Sequence, residues 1–310
     1  MIILSGDNKI NGSETAVALG IFDGVHRGHR AVIDKAATEA SENGLSPAVC
    51  TFKTSTISTK GSAYRPIYSD ETKLVLLEKE GIEYVFIPDF ADVKDMSPEE
   101  FVKDILCGIL NARIVVCGRD FRFGKNAACS AEGLGEMCGR LGMKLCVVDD
   151  VTENGVRICS ADIRRYISEG NIHKANILLG HDYAVVGEVI HGRQLGRKMN
   201  FPTANQLMPE GNVMPKFGVY ASYAELDGKV YRGITNIGVK PTVESSATPL
   251  AETHFPKYSG DLYGKDIVVR LSDFIRPEKR FNNTDELRAQ INNDVNKVMT
   301  AKCCQSCNIN

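Results

Sequence analysis

In the first half of the chain apolar residues fall into two alternating rhythms. Short apolar runs at 15–20, 47–52, 84–87, 113–117 and 144–148 have the length and character of strands. The segments between them, 31–43, 70–80, 98–110 and 131–141, space their apolar residues by three and four, as amphipathic helices do. Strand and helix in that order predict βαβ units, so the first half is expected to be an α/β, doubly wound parallel sheet covered by helices on both faces. Ligands in such sheets bind at the carboxyl ends of the strands.

The rhythm changes after two further helical segments, 161–168 and 172–179. Beyond Gly180 to Tyr183, Val, Ile and Tyr recur in short runs broken by Gly, Pro and Asn. Runs at 184–191, 219–226, 229–237 and 266–274 predict a small antiparallel β-barrel. Only 284–299 regains helical spacing, with Thr284 as its N-cap and Leu287, Ile291, Val295 and Val298 on one face. Two domains are therefore expected, 1–180 and 181–310, and no internal repeat is visible.

Composition narrows the function classes. The 310 residues include 37 Lys and Arg against 39 Asp and Glu, a net charge of -2, so no overall field draws the chain to nucleic acid or to an anionic membrane. Residues 1–13 have neither a basic nor an apolar segment and no run approaches ~18 apolar residues, so a cytoplasmic location is expected. Cys50, Cys107, Cys117, Cys138, Cys146 and Cys159 lie singly in apolar stretches and read as reduced core residues. Cys303, Cys304 and Cys307 cluster in the polar C-terminus, where a metal would lack a fourth ligand.

The first candidate chemistry lies between the first strand and the first long helix, in Gly20-Ile21-Phe22-Asp23-Gly24-Val25-His26-Arg27-Gly28-His29. Two histidines three apart at a helix N-terminus suit a phosphate, because backbone N–H groups and the helix dipole attract the anion. Gly24 and Gly28 let the backbone come close, and the imidazoles can donate to oxygens gaining charge as phosphorus is attacked. Taken alone, a histidine pair so spaced is more often a satisfied cap or an adventitious metal pair.

The whole run resembles the signature of bacterial FAD synthetases, a branch of the HxGH nucleotidyltransferases. That resemblance implies adenylylation of FMN to FAD with release of pyrophosphate, His26 and His29 acting on ATP, and Gly20, Phe22, Asp23, Gly24 and Gly28 in its phosphate loop. Gly118-Arg119-Asp120-Phe121-Arg122-Phe123-Gly124 resembles the family's flavin loop, which implies flavin contacts by Asp120, Phe121, Arg122 and Phe123. Cys159-Ser160-Ala161-Asp162-Ile163-Arg164 resembles the superfamily's triphosphate-binding Ser-Ser-Thr-x-Ile-Arg, from which Ser160 and Arg164 carry over. Cys159 and Ala161 depart from that form, and Lys53-Thr54-Ser55-Thr56 stands where the family has Asp-Pro-His-Pro.

The second candidate is Gly192-Arg193-Gln194-Leu195-Gly196-Arg197-Lys198-Met199-Asn200-Phe201-Pro202-Thr203-Ala204-Asn205. Amides near Gly192 and Gly196, with Arg197 or Lys198, can hold ATP phosphates, and Thr203 and Asn205 offer hard oxygens to Mg²⁺. A basic surface hairpin would read the same way. Pro-Thr-Ala-Asn after such a loop resembles riboflavin kinases, as do the segments around Asn236 and Gly264. This implies Glu252 as general base for the ribityl hydroxyl, with Asn236, Arg276 and Phe281 near the flavin.

Adenylyltransferase then kinase, in one order along the chain, implies an enzyme that makes both FMN and FAD from riboflavin and ATP. Two alternatives stay open at this point. One is a monofunctional riboflavin kinase with a degenerate first domain; the other is a flavin-binding regulator without turnover, which would need neither base nor metal ligands.

Overall fold

A computed structural model describes residues 1–4, 6, 8–59, 62–192, 201–239 and 248–300. The chain divides into two compact units, Met1–Ser160 and Ala161–Asn310. That division falls before the seam expected at Gly180 and places the two helices in between with the second unit.

In the first unit the chain runs β1 (Ile2–Leu4), β2 (Thr15–Leu19), α1 (Arg27–Asn43), β3 (Ser46–Cys50), β4 (Ser58–Thr59), β5 (Ser62–Ala63), α2 (Asp70–Lys79) and β6 (Tyr84–Phe86). It continues through α3 (Phe90–Val93), α4 (Pro98–Glu100), β7 (Ala112–Gly118), β8 (Arg122–Phe123), β9 (Cys129–Ser130), α5 (Ala131–Arg140), β10 (Lys144–Val148), β11 (Thr152–Glu153) and β12 (Val156–Arg157). Six strands form a sheet in the order β1-β6-β3-β2-β7-β10, every pair parallel. The central strand β2 is buried at all five residues. Its alternate side chains explain this: Ala16 and Ala18 join Val32, Ile33 and Ala36 of α1, while Val17 and Leu19 join Val102, Ile105, Leu106 and Leu134 on the opposite face.

Besides the two-residue strands β4, β5, β8, β9, β11 and β12 and the short α3, two larger features escaped the sequence pattern. The edge strand β1 has three residues, too few to show a period, and its Ile2 and Ile3 stay exposed. The segment after α4 was expected to be α-helical but is a π-helix, Phe101–Ile109, in which the Leu110 N–H donates to the Ile105 carbonyl. Its start follows the capping rule: Ser97 Oγ accepts from the Glu100 N–H and Glu100 Oε2 from the Ser97 N–H.

The second unit holds α6 (Ser160–Glu169), α7 (Ile172–Leu179), β13 (Ala184–Glu188), β14 (Ala204–Leu207), β15 (Gly218–Leu226), β16 (Lys229–Val239), β17 (Pro249–His254), β18 (Asp266–Pro277) and α8 (Thr284–Thr300). By the contact division α6 begins on the last residue of the first unit. Antiparallel pairing in the order β13-β18-β15-β16-β17-β14 makes the expected barrel-like sheet. An Ile190–Asn205 bridge and a bond from Gln206 Nε2 to the Gly187 carbonyl join its two ends. Strands β14 and β17 were not predicted, because β14 has four residues after a proline and β17 carries Glu252 and His254 among few apolar positions.

The barrel interior is partly polar. Ser222, Thr235 and Thr253 are fully or nearly fully buried and form a chain of hydroxyl hydrogen bonds of 2.8 Å each. Helix α8 covers the outer face, packing Ile291, Val295 and Val298 on Val219 and Ile234. Asn283, not Thr284, caps it: Asn283 Oδ1 accepts from the Glu286 N–H at 2.9 Å. Helices α6 and α7 hold to the barrel through the Lys216 N–H on the Ile167 carbonyl and the Asn176 amide on the Leu271 carbonyl.

Among the described residues no helix is long and apolar enough to cross a membrane, and the seven described cysteines are unbridged. Burial pushes the Cys50 and Cys117 thiols up to about 12, which makes them inert. Cys303, Cys304 and Cys307 lie outside the described residues.

Candidate active sites

In the first unit the loop leaving β2 is bent by positive φ at three of its four residues 22–25: Phe22 at φ 52, Gly24 at φ 81 and Val25 at φ 42. Left-handed backbone at two non-glycine residues is costly and persists where the surroundings impose it. Gly20 lies against the Phe22 ring, and a Cβ there would stand 3.0 Å from it. Asp23 supplies the restraint. It is buried, with Oδ1 accepting from the Ile67 N–H at 2.7 Å and Oδ2 from the Tyr64 hydroxyl at 3.0 Å, and its carbonyl accepts from Ser160 Oγ at 3.1 Å. Asp23, expected in the phosphate loop, thus serves the shape of that loop.

The loop delivers His26 as the N-cap of α1, its Nδ1 accepting from the His29 N–H at 3.3 Å. An accepting Nδ1 puts the proton of neutral His26 on Nε2. The His26 and His29 rings stack at 3.5 Å and 17°, and Phe22 meets His29 edge-on at 5.3 Å. Gly28 makes room, since a Cβ there would stand 3.1 Å from the His26 ring. His29 keeps some exposed surface, yet its Nδ1 is enclosed without a partner among the described residues. Burial first, then the His26 and Lys73 charges, hold its pKa well below the ordinary value, so the ring is neutral at pH 7.

Lys73 was not singled out in the sequence. It is buried on α2, donating to the Phe52 carbonyl at 2.6 Å and pairing with Asp70 at 3.1 Å. Asp70 also accepts from the backbone and hydroxyl of both Thr54 and Ser55. Burial pushes Asp70 up, but Lys73 and the Thr54 and Ser55 donors hold it down to about 2. This cluster pins the Lys53–Thr56 turn that stands in place of Asp-Pro-His-Pro. The only sequence signal for it was a lysine on the apolar side of α2.

The other expected residues of this half are placed as follows. Phe123 is buried against Phe101 in the core, and Phe121 stacks on it at 5.7 Å. Arg122 is exposed and donates to the Ala127 carbonyl at 3.0 Å, while Asp120 is paired with Arg157. Arg164 lies one turn into α6, and Asp162 beside it pairs with Arg165 at the surface.

In the second unit strand register builds the site. Asn205 on β14 stands opposite Glu252 on β17, Glu252 opposite Asn236 on β16, Asn236 opposite Val219 on β15, and Val219 opposite Arg276 on β18. Residues opposite one another in antiparallel strands share a face, so one row crosses five strands on the face that α8 covers. Glu252, Asn236, Val219 and Arg276 line a cavity of about 350 Å³ between the sheet and α8, together with Thr203, His254 and Phe281. Five expected residues, Thr203, Asn236, Glu252, Arg276 and Phe281, therefore meet in one cavity.

A smaller cavity of about 80 Å³ lies beside the first, lined by Tyr258, Asp261 and Tyr263, and Thr203 is a wall of both. Asn205 is 4 % exposed, and its Oδ1 is a buried acceptor without a partner among the described residues. Gly192 permits that placement, because a Cβ there would stand 2.7 Å from Asn205 Nδ2. An orphaned amide oxygen near a threonine is a donor set that fits a hard cation such as Mg²⁺. Gly196, Arg197 and Lys198 lie outside the described residues.

Two residues of this site went unassigned in the sequence. His254 is two positions along β17 from Glu252; its Nδ1–H donates to the Pro202 carbonyl at 2.8 Å and burial lowers its pKa. Asp294 on α8 pairs with Arg276 at 2.8 Å. Both stand at spacings that pair with a face already identified, which was the available signal.

Comparisons with known proteins divide the chain in the same order. A family model described as FAD synthetase matches residues 8–162, and one described as riboflavin kinase matches residues 179–302. A bifunctional riboflavin kinase/FMN adenylyltransferase of Bacillus subtilis is 36% identical, covering 91% of this chain and 90% of its own. One from Escherichia coli is 35% identical over 90% of each. A solved structure described as a macrolide-efflux protein from Streptococcus pneumoniae superposes with a TM-score of 0.86 at 27% identity, covering 97% of this chain and 100% of its own.

Proposed function

The chain belongs to the family of bifunctional riboflavin kinase/FMN adenylyltransferases, and from that premise we propose how its residues divide the two reactions. It phosphorylates riboflavin to FMN and adenylylates FMN to FAD, with ATP as co-substrate of each step. We assign the kinase to the barrel and the adenylyltransferase to the parallel-sheet domain, with the boundary between residues 160 and 180. The efflux activity named for the Streptococcus pneumoniae chain has no counterpart in this reading, and a cytoplasmic location is part of it.

The observation that carries the kinase assignment is Thr203 as the shared wall of two cavities. Phosphoryl transfer needs donor and acceptor to meet at one point. The larger cavity is the riboflavin site and the smaller one is the ATP side; Gly192, Gly196, Arg197 and Lys198 as ATP-phosphate ligands rest on the sequence alone. Glu252 takes the proton of the ribityl 5′-hydroxyl as that oxygen attacks the γ-phosphorus. Thr203 and Asn205 would hold Mg²⁺, which supplies neutralisation of phosphate charge when bound. The neutral His254 keeps the Pro202–Thr203 segment in place through its bond to the Pro202 carbonyl. Asn236, Arg276 and Phe281 position the flavin.

For adenylyl transfer the supporting observation is the stacked His26–His29 pair at the N-terminus of α1. An oxygen of the FMN phosphate attacks the α-phosphorus of ATP and pyrophosphate leaves, without a covalent enzyme intermediate. Imidazole N–H groups and the helix N-terminus stabilise the charge that grows on the phosphate oxygens. Ser160 and Arg164 as triphosphate ligands, and Asp120, Phe121, Arg122 and Phe123 as flavin contacts, rest on sequence resemblance. Asp23 holds the loop that delivers the pair, and Lys73 and Asp70 hold the Lys53–Thr56 turn.

Purified protein incubated with riboflavin, ATP and Mg²⁺ should yield FMN and then FAD on chromatography. FMN without FAD would leave only the kinase half of this reading standing, and unchanged riboflavin would overturn the kinase assignment.

A further inference from the structure

Asp294 is a carboxylate on α8 that the reaction does not use, and it is 1% exposed. Its Oδ2 accepts from Arg276 Nε at 2.9 Å and Nη2 at 2.8 Å, and its Oδ1 accepts from Gln290 Nε2 at 2.9 Å. Arg276 Nη1 donates to the Pro277 carbonyl at 3.1 Å. Three of the five guanidinium N–H groups are thereby used, and the plane of the group is fixed. Both residues line the large cavity, at the opposite end of the cross-strand row from Asn205. Among the described residues around that cavity three carboxylates, Glu252, Glu278 and Asp294, face two cations, Arg276 and Lys279. Paired with a buried carboxylate, Arg276 offers fixed N–H donors and little net charge, which suits a neutral carbonyl better than an anion.

We propose that Asp294 is a positioning residue for the flavin: by clamping Arg276 it presents rigid, charge-compensated N–H donors to the uncharged carbonyl edge of the isoalloxazine ring. The inference rests on the large cavity being the riboflavin site. The phosphorylated end of the substrate then lies toward Thr203 and Glu252, and the apolar walls Val219, Ile234, Leu287 and Ile291 take the faces of the ring.

The test uses the full chain and two probes, riboflavin and lumiflavin, which has the ring without the ribityl chain. Dissociation constants are read by flavin fluorescence, alongside kinase steady-state kinetics. Asp294→Asn should weaken both probes by the same factor, about tenfold, the worth of one well-placed hydrogen bond. KM for riboflavin should rise with it while kcat changes less than twofold. Arg276→Lys, which keeps the charge but loses the fork, should weaken both probes alike, and it decides the matter if Asp294→Asn does not fold. A fall in kcat with unchanged KM, or a loss for riboflavin that lumiflavin does not share, overturns the proposal. Val219→Phe, which fills the cavity, separates the two levels of the reading: if it leaves riboflavin binding intact, the site itself is misassigned. If Val219→Phe abolishes binding and both clamp variants bind as the parent does, the clamp alone is wrong.

Discussion

Asn205 and Glu252 face each other across the paired strands β14 and β17, the first with a buried oxygen that has no partner among the described residues and the second on the wall of the large cavity. With the roles proposed above, Asn205 for the metal and Glu252 for the proton, that register would put the two demands of phosphoryl transfer one interstrand spacing apart, ~5 Å. They belong to one unit, whereas His26 and His29 belong to the other.

The two activities should therefore separate by mutation. Glu252→Gln is expected to stop FMN formation and leave conversion of FMN to FAD intact. His29→Ala should cost ~3 kcal/mol in the adenylyl transition state, about a hundredfold, with riboflavin phosphorylation preserved. Chromatographic rates of both steps check this; loss of both activities in a folded single variant would contradict it.

Gly192→Ala should act on the kinase alone. The added Cβ would stand 2.7 Å from Asn205 Nδ2 and push that side chain from its place. Misplacing a residue that orients a metal site costs about ten- to a hundredfold in metal affinity. The Mg²⁺ concentration giving half-maximal kinase rate should rise accordingly, and an unmoved titration would separate Asn205 from the metal.

Asn176 joins α7 to the barrel, donating to Asp182 Oδ1 at 2.8 Å and to the Leu271 carbonyl at 2.9 Å, and accepting from the Tyr183 N–H at 2.8 Å. Asn176→Ala removes three partly buried hydrogen bonds at about 1 kcal/mol each, so urea unfolding of the barrel unit should show a loss of ~3 kcal/mol. By the same contacts a fragment of residues 161–310 should resist urea better than one beginning at 182. Equal midpoints would mean that α6 and α7 contribute nothing to that unit.

The lowered pKa of His29 makes a prediction about pH. Its folded value lies below the unfolded value of ~6.5, so the unfolded chain binds the extra proton first. The stability this group protects is complete above pH ~6.5 and is lost as pH falls below it; His254, lowered in the same direction, adds to the slope. Calorimetric Tm values between pH 7.5 and 5.5 should fall less steeply in His29→Asn than in the parent.

Much of this protein was written in local sequence. The motifs around His26 and Thr203 and the role of Glu252 were legible through family resemblance, while the alternation of strand and helix in the first half and four of the barrel strands after Gly180 follow from periodicity, which acts over a few residues. Strands β1, β14 and β17 did not, because segments of three to six residues become strands only when a partner offers its edge. What tertiary structure alone decided is which side chains meet. Strand register set Asn205, Glu252, Asn236, Val219 and Arg276 in one row from five separated segments. Folding brought Lys73 and Asp70 to the Phe52–Ser55 turn and Asp294 to Arg276. Folding also gave Asp23 the hydrogen bonds that shape its loop and buried Phe123 against Phe101, placements that the motifs do not specify. A sequence states which chemical groups are present; distance and desolvation, which decide what those groups can do, come into being only when remote segments pack.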